Sequence, residues 1–265
     1  MTTEKHKALR IALISGKGGV GKSVITLNLA AALSSLGRKT LAVDADLGLA
    51  SLDVILDISP QSTIFDALHR GSPLDEALIH TTKGFDLLPA GSGLPEGTMV
   101  TQALAESVEA GFSSLEDRYD IFLLDAGAGI GDVVLFFANL AHEILLVVTP
   151  EPTSVMDAYA TIKILHQNYG RSEFLLVVNQ ADPDRSDQVG ASIAGHLRNV
   201  ISRYLESDPP VRLELIGSIP RDPAIPRAVR HRQLLVETDP KAPAIGGIAR
   251  MADFLEKRIS KSFGI

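Results

Sequence analysis

The stretch Ile14–Ser23, ISGKGGVGKS, constrains this chain more than any other because it holds two overlapping glycine motifs. A short apolar run, Arg10–Ser15, leads into it, and an Ala/Leu-rich stretch, Lys22–Leu36, leaves it and stops at Gly37. This order predicts a strand, a phosphate-binding loop and a helix, since glycines let backbone N–H groups approach phosphate oxygens closely.

Two ligand classes compete for this loop. A G-x-G-x-x-G spacing is the dinucleotide fingerprint, and Asp44, at the end of the second predicted strand, would suit a ribose hydroxyl. The pair Lys22-Ser23 decides for a P-loop, because a triphosphate needs a lysine for its β- and γ-phosphates and a hydroxyl for Mg²⁺. The predicted nucleotide-binding residues of the loop are Gly16, Gly18, Gly19, Val20, Gly21, Lys22, Ser23 and Val24.

Apolar runs alternate with amphipathic stretches along the whole chain. The runs are continuously apolar, which is typical of parallel strands buried on both faces. Their β-α order predicts an α/β fold, a doubly wound and mostly parallel sheet with helices on both faces. No linker or repeat is visible, so we expect a single domain over residues 1–265. The predicted strands are Arg10–Ser15, Lys39–Asp44, Gly84–Pro89, Tyr119–Asp125, Glu143–Thr149, Glu173–Asn179 and Arg212–Gly217.

Composition excludes several classes of protein. With 265 residues, 45% of them apolar, the chain can bury a large core. It contains no cysteine, which excludes disulfides and thiolate metal sites. Its net charge of −7 disfavours nucleic acid as a main partner, because proteins that coat DNA are usually basic. We see no signal peptide and no apolar run near the roughly 20 residues that span a bilayer, so we expect a cytoplasmic protein.

Three aspartates and one serine supply the candidate metal site. Asp125 ends the buried run YDIFLLD, where a P-loop protein needs an acid for the Mg²⁺ shell. Asp44 and Asp46 lie two residues apart on an extended segment, so both carboxylates can face the phosphates. Together with Ser23 they form the predicted metal set, completed by phosphate oxygens and water because Mg²⁺ keeps much of its water.

A second lysine, Lys17, lies inside the loop, and KGGVGKS resembles the deviant Walker A motif of the MinD/ParA family of ATPases. The resemblance implies that Lys17 reaches the nucleotide of a partner subunit in an ATP-dependent homodimer and acts as an arginine finger does. It implies that Asp46 positions the attacking water, so Lys17 and Asp46 are the candidate catalytic residues. It also implies that DAGAG, with Gly127 and Gly129, is a switch II segment that responds to the γ-phosphate.

The base pocket is predicted at the ends of two later strands. Asn179 ends FLLVVN and can bond the base edge, but the NQAD that begins there lacks the lysine of the guanine-reading Asn-Lys-x-Asp motif. In the family, an asparagine at this place and a Pro-x-Asp in a later loop bracket adenine, and Pro220 and Asp222 match that pattern. We therefore favour adenine, and hence ATP, over guanine.

The C-terminal segment 248–265, IARMADFLEKRISKSFGI, combines apolar residues at helical spacing with more cations than acids. Such a segment can lie in a membrane interface, with its cations towards anionic headgroups. The alternative, a last helix docked on the sheet, remains open for its second half. MinD-type relatives carry a membrane-targeting helix here, so the resemblance implies attachment to the inner face of the cell membrane in the ATP state. The predicted membrane residues are Phe254, Leu255, Ile259 and Phe263.

Longer segments extend the resemblance to the FlhG/FleN (YlxH) branch, which regulates the number and placement of flagella. They are DADLGLASLDVIL, LLPAGSG and TPEPTSVMDAYATIKIL. Members usually carry an N-terminal motif that engages the flagellar GTPase FlhF; only Ala8-Leu9-Arg10 corresponds here, too little to predict that partner. The alternatives are a MinD-type division regulator, a ParA-type partitioning ATPase, and a metabolic or metallocluster-assembly ATPase, against which the lack of cysteine counts.

Overall fold

A computed structural model describes residues 8–46, 51–91, 100–205 and 208–263, with side chains up to Lys261. Within these ranges the strands form one sheet in the order β3-β4-β2-β5-β1-β6-β7-β8, in which only the β3–β4 pair is antiparallel. The strands are β1 (Leu9–Ser15), β2 (Thr40–Ala45), β3 (Ile79–His80), β4 (Asp86–Leu88), β5 (Ile121–Ala128), β6 (Glu143–Val148), β7 (Glu173–Ala181) and β8 (Arg212–Pro220). The predicted doubly wound, mostly parallel α/β fold is confirmed, whereas the short antiparallel edge strand β3 was not predicted.

Helices cover both faces of this sheet. The helices are α1 (Lys22–Ser35), α2 (Leu52–Leu56), α3 (Ile64–Arg70), α4 (Gln102–Leu115), α5 (Asp132–Leu140), α6 (Pro152–Tyr169), α7 (Ser186–Tyr204), α8 (Ala224–Arg230), α9 (Leu235–Thr238) and α10 (Pro243–Phe263). One apolar core lies between the sheet and helices α3 to α7, and the other between the sheet and α1, α2 and α8 to α10. In the part of the chain that is described, no helix combines the length and apolarity needed to cross a membrane.

The parallel strands bring the candidate site residues to one edge of the sheet. Strand β1 lies between β5 and β6, and the glycine loop leaves from its carboxyl end. In the β2–β5 register, Asp44 lies directly beside Asp125, and Asp125 is also the partner of Leu13 in β1. The loop and two of the predicted acids therefore share the crevice at the carboxyl ends of the strands, where open α/β sheets bind their ligands.

Helix α10 docks on the sheet, and this corrects the membrane prediction for Leu255 and Ile259. Both side chains are fully buried in the same apolar core as α1. The helix packs against β8 and α1, so the sheet rather than lipid covers its apolar face. The Arg38 guanidinium donates two hydrogen bonds of 2.5 Å, from Nε and Nη2, to the Glu256 carboxylate. This ion pair connects the helix to the segment that follows α1.

The other two predicted membrane residues have different outcomes. Phe254 is partly buried, and the guanidinium of Arg258 lies 5.2 Å from its ring centroid. Arg258 also binds Glu143 and Glu214 across the amino ends of β6 and β8, so this cation of the helix is engaged with protein. The side chain of Phe263 lies outside the described residues.

Truncating the buried face of α10 tests this packing. We expect Leu255→Ala or Ile259→Ala to lower the free energy of unfolding by about 2–5 kcal/mol, because each leaves a cavity in a filled core. Lys257→Ala, on the exposed side of the same helix, should change it by less than about 0.5 kcal/mol. Urea unfolding measures both, and a Leu255→Ala protein as stable as wild type would contradict the docked arrangement.

Candidate active site

The glycine loop needs glycine at two positions for its backbone conformation. Gly19 and Gly21 adopt φ angles of +75° and +97°, in the left-handed region that other residues avoid. Gly21 is also the N-cap of α1. The first N–H groups of α1 have no partner within the helix, so they are available to an anion held by the loop.

Gly16 is required for packing against α6. A Cβ atom on Gly16 would lie 2.5 Å from the Cβ atom of Asp157 and 2.6 Å from its carbonyl oxygen. The second turn of α6 is therefore in close contact with the glycine loop.

The two lysines of the loop have different partners. Lys22 is buried, and its Nζ donates to the Ser15 hydroxyl at 2.9 Å. Burial lowers the pKa of Lys22, while the nearby carboxylates of Asp125 and Asp46 oppose that shift. Lys17 instead lies partly exposed, and its Nζ donates to the Glu151 carboxylate at 2.5 Å. Its cation therefore points away from the position of Lys22.

Asp44 is surrounded by backbone donors. Its carboxylate accepts hydrogen bonds from the N–H groups of Asp46, Ser51 and Leu52 at 3.1, 2.8 and 3.0 Å. Burial, and then the neighbouring charge of Asp125, raise the pKa of Asp44 to about 7. Both carboxylate oxygens are thus committed to the chain that follows β2. This geometry gives Asp44 a supporting position rather than a free pair of ligand oxygens.

Asp125 and Ser23 form the polar centre of the site. The Asp125 carboxylate accepts from Thr26 Oγ1 at 3.2 Å and from the Ser23 hydroxyl. Burial raises the pKa of Asp125 to about 6, although the Ser23 bond and the Lys22 charge act in the opposite direction. The Ser51 hydroxyl donates to Ser23 Oγ at 3.1 Å, which ties the segment after β2 to the start of α1.

Asp46 and the predicted switch II lie against each other. A Cβ atom on Gly127 would be 3.4 Å from the Asp46 carboxylate, which is close but ordinary contact. Gly129 has a φ of +89°, and its N–H donates to the Ser15 carbonyl at 2.8 Å. The predicted switch II segment is therefore attached to the end of β1.

The predicted base residues divide into two groups. Asn179 donates from Nδ2 to the Val20 carbonyl at 2.7 Å, whereas its Oδ1 is buried without a hydrogen-bond partner. Pro220 pairs with Ala181 at the same edge of the sheet. Asp222 instead accepts from the backbone N–H groups at the start of α8 and of α10, at 2.8 and 3.3 Å. Its carboxylate thus stabilises two helix starts.

The residues fit a magnesium nucleotide better than a bare ion. In the described ranges, no group of three or more histidines and carboxylates could hold a metal by itself. A P-loop magnesium ion needs only a few protein oxygens, because phosphates and water complete its shell. The Ser23 hydroxyl beside Asp125, with Lys22 nearby, supplies that limited donor set.

Sequence reasoning missed several residues that touch this site. Glu151 lies 134 positions from Lys17, and no local pattern connects them. Thr26 follows the loop by one helical turn, so its hydroxyl could have been assigned to the same face as Lys22 and Ser23. Ser15 lies inside the motif but is neither glycine nor charged, and its contacts appear only in the folded chain.

Comparison with known proteins adds independent evidence. A family model for ParA, described as an NUBPL iron-transfer P-loop NTPase, matches residues 7–255. The antiactivator FleN of Pseudomonas aeruginosa is 37% identical over 90% of this chain and 83% of its own. The flagellum site-determining protein YlxH of Helicobacter pylori is 32% identical over 94% and 82%. The MinD cell division protein of Aquifex aeolicus superposes with a TM-score of 0.76 and 28% identity, covering 94% and 97%.

The raised pKa of Asp44 predicts a pH-dependent penalty on folding. Because the folded-state pKa, about 7, exceeds the ordinary 3.8, the free energy of unfolding falls as the pH rises through that window. Asp44→Asn removes the ionisation but loses one backbone bond at every pH. The free energy of unfolding of Asp44→Asn minus that of wild type should therefore rise by about 1–3 kcal/mol from pH 5 to pH 8.

Urea unfolding of the nucleotide-free proteins at the two pH values measures this change. Asp253→Asn, on the exposed side of α10, is the control and should show the same difference from wild type at both. If the Asp44→Asn difference is also the same at both pH values, the buried carboxylate carries no such penalty.

Proposed function

Because this chain belongs to the ParA family of P-loop NTPases, we propose that it is an ATP-hydrolysing dimer that regulates the number and placement of flagella. The observation that carries the proposal is the pair of lysines: Lys22 lies inside the loop, whereas Lys17 points outwards to Glu151. The similarity to FleN and YlxH over about nine tenths of this chain supports the flagellar role.

Within one subunit, the loop and its neighbours bind the nucleotide. Lys22 exchanges the Ser15 hydroxyl for the β- and γ-phosphates, which compensate its charge better than a neutral hydroxyl. The Ser23 hydroxyl, which is hydrogen-bonded to Asp125, is the protein oxygen that binds Mg²⁺. Asp44 accepts a hydrogen bond from the Asp46 N–H and so positions the segment that carries Asp46. When bound, Mg²⁺ neutralises charge on the phosphates. Asp46, beside Gly127 of switch II, orients the attacking water.

Lys17 acts on the nucleotide of the second subunit. Its bond to Glu151 joins two side chains that are 42% and 57% exposed, and ion pairs this exposed contribute little because water screens them. The lysine can therefore leave Glu151 at little cost when a partner subunit presents a triphosphate. A cation delivered in this way makes hydrolysis depend on dimerisation.

Exposed apolar side chains support a dimer surface at the carboxyl edge of the sheet. Ile130, directly after switch II, and Met156, in the first turns of α6, are 46% and 60% exposed. Both follow strands that end beside the glycine loop. Burying them against a second copy would remove apolar surface from water next to Lys17.

Asn179 selects adenine over guanine at the base. Its Nδ2 is fixed by the Val20 carbonyl, which can only accept, so the unpartnered atom is the acceptor Oδ1. The exocyclic amine of adenine is a donor and satisfies it, whereas guanine presents a carbonyl at that ring position. Pro220 stays in the proposed pocket, while Asp222 is left out because its carboxylate caps two helices.

Other members of the family have different tasks. The family description mentions iron transfer, but this chain has no cysteine with which to hold an iron cluster. A division-site or partitioning role would use the same site chemistry, and only a cellular measurement separates it from a flagellar one. Membrane binding through Leu255 and Ile259 is not part of the proposal, because both are buried.

Lys17→Ala tests the trans-acting lysine. We expect it to abolish ATP-dependent dimers and to lower turnover by about 100-fold or more, because loss of a trans-acting cation removes charge stabilisation in the transition state. Monomer affinity for ADP should remain within about threefold. Analytical ultracentrifugation and steady-state turnover measure these, with the exposed Lys163→Ala on α6 as the control. Wild-type turnover in Lys17→Ala would refute the mechanism.

The same variant tests the flagellar role in cells. In the source organism, a strain whose only copy is Lys17→Ala should show an altered number of flagella per cell by electron microscopy, with normal division. Filamentous cells or minicells with unchanged flagella would favour a division role instead.

Met156→Asp tests the dimer surface. A carboxylate there would be buried against the partner, so we expect the ATP-dependent dimer to weaken by at least tenfold in dissociation constant. Tyr204→Asp is the matched control, since Tyr204 is 63% exposed and ends α7 at the opposite edge of the sheet. Equal dimerisation of the two variants, measured by sedimentation with ATP, would place the interface elsewhere.

A further inference from the structure

Ser15 is bonded to three parts of the candidate site. Its hydroxyl donates to the Lys17 carbonyl at 2.7 Å and accepts from Lys22 Nζ at 2.9 Å. Its own carbonyl accepts from the Gly129 N–H at 2.8 Å. Ser15 is only 1% exposed, so bulk water does not compete for these bonds.

A shift in strand register places Ser15 where it can reach switch II. The β1–β5 pairing is regular up to Leu13 and Asp125, but Ser15 then lies opposite Ala128 rather than Gly127. Strand β5 thus has one residue more than β1 between these two pairs, as at a β-bulge. The Ser15 carbonyl consequently bonds the first residue beyond β5, Gly129.

We propose that Ser15 is a positioning residue for the trans-acting lysine. This inference rests on the proposed function, because it assumes that Lys17 serves hydrolysis in a dimer. The Ser15 hydroxyl holds the Lys17 backbone to the end of β1, and the Ser15 carbonyl holds Gly129 to the same point. When Lys22 turns to the phosphates, the donated bond to Lys17 remains. The Lys17 backbone and Gly129 thus keep a fixed position relative to the end of β1.

The chain offers a matched control for this hydroxyl. Thr40 is 2% exposed, and its Oγ1 also donates to a carbonyl two residues away, that of Arg38, at 3.1 Å. It lies at the amino end of β2, at the opposite edge of the sheet from the glycine loop. Thr40→Val therefore removes a comparable buried hydrogen bond without touching the site.

The test is a double-mutant cycle with Ser15→Ala, Lys17→Ala and the combined variant. Single-turnover and steady-state ATP hydrolysis give kcat and KM, titration gives ADP affinity, and thermal melting gives stability. We expect Ser15→Ala to lower kcat about five- to tenfold, the effect of one buried hydrogen bond, with KM and ADP affinity within about threefold. In the Lys17→Ala background it should cause no further loss. Thr40→Val should lower the melting temperature similarly and leave kcat unchanged.

Two results from Ser15→Ala would overturn the inference while leaving the proposed function intact. The first is wild-type kcat in Ser15→Ala, and the second is an equal loss in the Lys17→Ala background, which would mark a merely structural role. Wild-type turnover in Lys17→Ala would overturn both, since Ser15 would have no catalytic lysine to position. If Ser15→Ala fails to fold, Ser15→Thr keeps the hydroxyl and should retain at least half of kcat. A folded Ser15→Thr that has lost kcat tenfold would also overturn the inference.

Discussion

The site depends on two carboxylates held side by side in the buried interior. The register of β2 and β5 puts Asp44 next to Asp125, and burial raises the pKa of each. The surrounding polar groups are arranged around these two acids. Backbone amides surround Asp44, while Ser23, Thr26 and the Lys22 charge surround Asp125. The glycine loop, the start of α1 and the segment after β2 are thereby fixed to one another.

Much of this arrangement could be predicted from the sequence because its signals are local. Continuous apolar runs predicted seven of the eight described strands, and parallel strands necessarily bring their carboxyl ends together. The family was also predicted correctly, since KGGVGKS and the longer segments carry its pattern within a few residues. Whether α10 docks on the sheet or on a membrane was not predictable in this way. An amphipathic helix shows the same spacing whether lipid or a sheet covers its apolar face.

Other features depend on contacts between distant parts of the chain. Asp222 was assigned to the base from a short motif, yet its carboxylate bonds the starts of α8 and α10. Glu151 meets Lys17 only because β6 lies beside β1 in the sheet. At Gly16, a Cβ atom would clash with α6. The sequence of the loop alone does not show this requirement for glycine. The sheet topology determines which of these residues meet. The local sequence around one residue of such a pair does not predict the other.

The two ends of the Asn179 amide have different surroundings. One end of its amide holds the Val20 carbonyl of the glycine loop, and the other end is an unsatisfied acceptor in the interior. A Cβ atom on Gly21 would come within 2.5 Å of the same amide, so the Asn179 side chain is packed tightly against the glycine loop. Under the base contact proposed above, a change at Asn179 that altered base preference would also remove its bond to the glycine loop. A lineage that changed its nucleotide would have to rebuild both at once.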